Sequence, residues 1–241
     1  MRVTIAGPEE RFPRKVIGFA HRGAPLSSKE ENTLPAFRRA LDLGATGLES
    51  DVGLTVDGVP VLLHLGLSLR ARSISRVRRG NLHARIPSLA DLYAECGHEF
   101  DLALDMAEPR AAESVVRTAE EYGALDRLWL TYWRVTTLEA WRRRWPDVHL
   151  VYPALPLRPG SAGRLVDQLR AARVDVLNVH HRICTRGLSA YVRHHGLGIF
   201  AWGVRNRGAL ERVLAHGVDG VFCDDVESMV ELTAGHLQRV Q

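Results

Sequence analysis

Residues 174–225 read VDVLNVHHRICTRGLSAYVRHHGLGIFAWGVRNRGALERVLAHGVDGVFCDD. Three largely apolar runs (VDVLNVHH, GIFAWGV and DGVFCDD) alternate with RGLSAYVRHHG and RGALERVLAHG, whose apolar residues recur at helical spacing. A strand that is apolar along its whole length is one covered on both faces, the habit of parallel sheets. Gly196 and Gly217 end the helical stretches just before the next strand, so the helix-to-strand loops are short.

The same rhythm extends outward from this stretch. FDLALDM, RLWLTYW and HLVYPAL read as strands. SLADLYAEC opened by Ser88, AAESVVRTAEEYG, AGRLVDQLRAAR and the final VESMVELTAGHLQRV read as helices. TTLEAWRRRW reads as a helix with capping-box spacing from Thr136 to Glu139, stopped by Pro146. At the other end VIGFAHRG is a strand, Asn32 and Thr33 cap a helix running to Leu43, and GLESDVGLT turns at Asp57-Gly58 into VPVLLHL. Eight strand–helix units in one domain, taken as residues 1–241, predict an α/β fold, a (β/α)8 TIM barrel with its chemistry at the C-terminal ends of the strands. An open doubly wound sheet would usually carry a glycine-rich phosphate loop after its first strand, and HRGAPLSS is not one.

Composition narrows the class. Hydrophobic residues make up 46% and charged residues 25%, as in an ordinary globular protein with a sizeable core. No run approaches the roughly 18 apolar residues of a membrane span, which predicts no integral membrane association. The first residues lack a secretory signal pattern, and Cys96, Cys184 and Cys223 lie far apart, so a reducing cytoplasm is the expected location. The net charge of +4 is too small to argue for a nucleic-acid partner. Of 32 basic residues all but Lys15 and Lys29 are arginine, a supply of planar phosphate-binding side chains wherever they face a site.

The chemistry concentrates between Gly18 and Gly66. His21 and His64 each end a strand-like run, Arg22 follows the first, and Glu49 and Asp51 stand two apart. Strand residues two apart share a face, so both carboxylates look into the barrel mouth, with Asp105 able to join them from the third barrel strand. Three converging carboxylates predict a site for a hard divalent cation, Mg²⁺ or Ca²⁺. Phosphodiester cleavage needs a base for the attacking oxygen and an acid for the departing alkoxide, tasks His21 and His64 can divide. Arg22 can neutralise charge on the phosphate oxygens.

These blocks (HRG, ENT opening a helix, ESD, VDG and the VLLH run) closely resemble the glycerophosphodiester phosphodiesterase family. Later pieces match as well: IPSL before a helix, FAWGVRN and GVDGVFCDD, so that the likeness spans about residues 16–226. The resemblance implies a (β/α)8 barrel that hydrolyses a small-molecule glycerophosphodiester to glycerol 3-phosphate and an alcohol. It further implies His21 and His64 as the acid–base pair, Arg22 and Trp202 as substrate contacts, and Glu49, Asp51 and Asp105 as metal ligands. Three positions depart from the family wording. Asp105 replaces a glutamate, the lysine two positions on is Ala107, and the aspartate after the second histidine is Leu65. A lysophospholipase D-like relative, with Leu65, Leu67 and Leu69 beside the rim, and a barrel that binds phosphodiesters without turnover are the competing expectations.

Overall fold

A computed structural model describes residues 15–64, 74–154 and 162–236. Its sheet holds nine strands: β1 (Ile17–His21), β2 (Gly47–Leu54), β3 (Pro60–Leu62), β4 (Asp101–Met106), β5 (Leu128–Thr131), β6 (His149–Ala154), β7 (Val176–His180), β8 (Gly198–Val204) and β9 (Gly220–Cys223). All neighbours are parallel except β3, which folds back on β2 as a hairpin arm. The first and last strands pair, Phe19 opposite Phe222, and β1 also pairs with β2, so the remaining eight strands close into a barrel. One helix follows each barrel strand: α1 (Leu34–Asp42), α2 (Leu89–Cys96), α3 (Ala111–Glu121), α4 (Val135–Arg144), α5 (Ala162–Ala171), α6 (Arg186–His194), α7 (Arg207–Ala215) and α8 (Val226–His236). The (β/α)8 expectation is met. Among the described residues no helix is long and apolar enough to cross a membrane.

Local chemistry sets the boundaries. Thr33 caps α1 by accepting from the Ala36 amide, and Ser88 with Asp91 forms a reciprocal capping box on α2. The capping box read at Thr136–Glu139 does not form. α4 begins one residue earlier, after Arg134, and Thr136 lies inside its first turn. VPVLLHL also contributes less strand than its composition suggests, because only Pro60–Leu62 pairs with β2 and His64 lies two residues beyond.

Two apolar layers position the site. The larger packs helices against the outer face of the sheet. The smaller fills the barrel: Phe19, Trp129, Phe200 and Phe222 interlock, with Phe19 stacked on Phe222 at 4.7 Å between ring centres. Glycine makes room for these rings. A Cβ on Gly220 would stand 2.7 Å from the Phe200 ring, and one on Gly47 2.7 Å from Phe19. This aromatic plug is the floor on which polar residues one level nearer the C-terminal rim sit.

Candidate active site

Inward-facing residues alternate along each strand, so the positions two beyond the plug form the next layer. On β1, β2, β4, β7 and β8 these include His21, Glu49, Asp105, Asn178 and Trp202, and Asp224 stands directly after β9. The floor is apolar and the layer above it is almost entirely polar. Strand register brings His21 beside Glu49 and Asp51 beside Asp105.

A cavity of about 290 Å³ opens there, lined by His21, Arg22, Glu49, Asp105 and Trp202 from the predicted set. Asp51 and His64 are not among its lining residues. They pair with each other instead, His64 Nδ1 standing 3.0 Å from Asp51 Oδ2. Asn178, Arg205 and Asp224 line the cavity and were missed by the sequence reading. A signal existed for two of them, since Asn178 interrupts the apolar VDVLNV run and Asp224 closes the last strand motif.

His21 is held on its Nδ1 side by Asp224 Oδ1 at 2.5 Å. A carboxylate acceptor there places a proton on Nδ1 and turns Nε2 toward the cavity. Nε2 lies 3.8 Å from Glu49 Oε2, near enough for attraction and beyond a hydrogen bond. Burial lowers the His21 pKa, but the Glu49 charge and the Asp224 hydrogen bond outweigh it and raise the group above 6.5. Asp224 is correspondingly held below the usual carboxylate value by its hydrogen bond to His21.

Glu49 is almost wholly buried, at 5% exposure. Its Oε2 accepts from the Arg22 amide at 3.0 Å. Burial, opposed by His21 and reinforced by Asp105 and Asp51, pushes its pKa up to about 8. Burial and the neighbouring Asp51 charge move Asp105 upward too. The Asp105 side chain is open to cavity water, so its rise is smaller than full enclosure would produce.

Arg22 adopts a left-handed backbone, φ 59°, which an arginine accepts only at a cost. That turn lets its amide reach Glu49 while its guanidinium donates to Glu31 at 2.7 Å. Its Nε is buried without a hydrogen-bond partner, as are Asn178 Oδ1 and Trp202 Nε1. An unsatisfied buried polar atom costs about 1–3 kcal/mol, and three on residues lining one cavity mark a place shaped for a polar ligand.

The donor set fits a hard cation in its chemistry, being carboxylate oxygen throughout, with mutual repulsion that a divalent ion would relieve. Among the described residues no three such side chains are already gathered as a metal-binding group. A cation would therefore have to draw Glu49, Asp51 and Asp105 together. Leu65, Leu67, Leu69 and the arginines Arg70 and Arg72 lie outside the described residues.

The sequence model of the glycerophosphoryl diester phosphodiesterase family matches residues 21–78 and 95–228. A glycerophosphodiester phosphodiesterase of Caldanaerobacter subterraneus is 26% identical over 245 residues, covering 90% of this chain and 98% of the relative. A crystal structure of a Thermotoga maritima glycerophosphodiester phosphodiesterase superposes with TM-score 0.75 at 24% identity, covering 91% of this chain and 99% of that one. An Oleispira antarctica phosphodiesterase in complex with the product sn-glycerol-3-phosphate shares the fold at TM-score 0.75 and 18% identity, over 95% of this chain and all of that one. With the matched segments covering most of the barrel and its polar rim, the chain belongs to the glycerophosphoryl diester phosphodiesterase family.

Proposed function

We propose that this family member hydrolyses glycerophosphodiesters to glycerol 3-phosphate and an alcohol, using a divalent cation and His21 and His64 as proton carriers. Family membership supports a phosphoric diester hydrolase acting on glycerophosphodiesters. The observation that carries the proton-transfer mechanism is the Asp224–His21 pair beside buried Glu49 at the mouth.

Glu49, Asp51 and Asp105 would hold the cation, whose charge would polarise the phosphoryl oxygens. This chain's own residues supply the rest. Asp224 holds His21 with Nε2 facing the cavity, and Asp51 Oδ2 holds His64 by its Nδ1, outside the cavity lining. With His64 swung to the cavity edge, two carboxylate-held imidazoles would divide the proton traffic. One accepts the proton of the attacking oxygen as its bond to phosphorus forms. The other donates a proton to the alcohol oxygen as the opposite P–O bond breaks. Arg22, with Nε unpartnered and its guanidinium anchored on Glu31, would donate to a non-bridging oxygen.

The test is release of glycerol 3-phosphate from glycerophosphodiesters by purified protein supplied with Mg²⁺, Ca²⁺ or Mn²⁺. Chelation should abolish release, and His21→Ala and His64→Ala should each lower kcat by about 10²–10⁴-fold. Metal-indifferent turnover, or histidine variants as active as the parent, would overturn the mechanism. Binding of the diester with no turnover under any metal would favour the non-hydrolytic barrel.

A further inference from the structure

The two halves of the mouth carry opposite chemistry. In barrel order β7 and β8 stand diametrically across from β2 and β4, which bear Glu49, Asp51 and Asp105. On the β7–β8 wall, Asn178 is 6% exposed, lines the cavity and presents an Oδ1 without a partner. Diagonally adjacent, Trp202 presents a buried Nε1 that also lacks one. An unpaired acceptor and an unpaired N–H donor on neighbouring strands suit hydroxyl groups, which donate and accept.

Above them Arg205 lines the same cavity with its side chain 81% exposed. Its nearest carboxylate, Asp224 at 3.6 Å, is already engaged by His21. The other carboxylates in the cavity lining, Glu49 and Asp105, are on the far side. Arg182 follows β7 on the same rim and is exposed. His180 stands edge to face with Trp202, ring centres 4.6 Å apart, and its Nδ1 accepts from the Arg182 amide at 3.3 Å. Gly203 makes this possible: with φ +74°, a Cβ there would lie 3.0 Å from His180 Nε2. Burial and the Arg182 and Arg205 charges hold His180 below 6.5, so near neutral pH the positive charge of this wall belongs to the arginines.

We propose that the β7–β8 wall is the subsite for the leaving alcohol, and that it selects an alcohol bearing hydroxyls and an anionic group, a polyol phosphate, over a quaternary ammonium alcohol. The proposal rests on the phosphodiesterase reading above, in which phosphate binds on the carboxylate side. Asn178 Oδ1 and Trp202 Nε1 would take the hydroxyls and Arg205 the terminal anion. A trimethylammonium group would meet Arg205, and the one carboxylate on this side, Asp224, is already shared between His21 and Arg205.

Three diesters sharing the glycerophosphate half and differing in the leaving alcohol (choline, glycerol, glycerol monophosphate) test this by diester loss at fixed ionic strength. The expected order of kcat/KM is glycerol monophosphate over glycerol over choline, with about tenfold between the ends. Arg205→Gln should bring the ratio of the phosphorylated to the plain glycerol substrate close to one. Asn178→Ala should do the same for the ratio of glycerol to choline. Because Arg205 is solvent-exposed, its variant folds irrespective of the buried asparagine. Choline equal or preferred, or ratios that survive the substitutions, overturns the proposal while leaving the phosphodiesterase reading standing. Turnover of none of the three overturns both.

Discussion

At the residue scale the site turns on how His21 is held. Its Nδ1 is fixed by Asp224 and its charge favoured by Glu49, against the opposing effect of burial. Asp224→Asn keeps the shape but removes the charge, so the His21 pKa should fall, as followed by NMR titration of its imidazole. Activity should drop about 10–100-fold, the usual effect of losing a carboxylate that orients a reacting histidine. An unmoved His21 titration would show that Asp224 does not act on it. The histidine was legible in the sequence because it ends an apolar strand. Its partner was not, because the two are 203 residues apart and meet only where β9 closes on β1. His64 is similar: the family's aspartate after it is Leu65 here, and Asp51 provides a carboxylate from β2 instead.

At the element scale the barrel is fastened by buried polar joints between helices and loops. Arg142 on α4 is 5% exposed and pairs with Asp175, donating also to the carbonyls of Arg173 and Val148. Asp175 in turn accepts from the Leu150 amide at 2.7 Å, so one ion pair ties α4 to the start of β6 and the approach to β7. Removing one partner leaves a buried charge, and Arg142→Ala should lower stability by about 3–5 kcal/mol in urea denaturation. Its neighbour Arg143 makes only an exposed pair with Glu139, and Arg143→Ala should cost at most about 0.5 kcal/mol. Equal effects from the two would refute this division. The sequence run RRRW marks a helix end rich in arginine. Which arginine is buried depends on the angle at which α4 lies on the sheet, a tertiary quantity.

At the scale of the whole molecule the barrel mouth buries a carboxyl that keeps its proton well above the ordinary range. The folded pKa of Glu49 is about 8 against an ordinary 4.5, so between those values the metal-free fold retains a proton that the unfolded chain has lost. Stability of the metal-free protein should therefore decline as pH rises from 4.5 towards 8. His21 is raised in part by the Glu49 charge, so the two titrate as one pair that acts with the same sign. Mg²⁺ or Ca²⁺ should take the place of the proton and raise Tm more at pH 8 than at pH 5, by scanning calorimetry. Glu49→Gln should flatten both the pH slope and the cation effect. A Tm indifferent to pH and to cations would refute the carboxylate site.

The sequence by itself determined the number and order of strand–helix units and the end of β1 at His21, but not the end of β3, which stops at Leu62, two residues short of His64. Periodicity and capping are relations between consecutive residues, and a period of two already places Glu49, Asp51 and Asp105 on inward faces. Tertiary structure alone decided the partners: Asp224 for His21, Asp51 for His64, and Asn178, Trp202 and Arg205 as the wall facing the carboxylates. Closing the barrel sets side by side strands that lie far apart in the chain. A hydrogen bond or charge pair across that closure leaves no local pattern for a sequence to show.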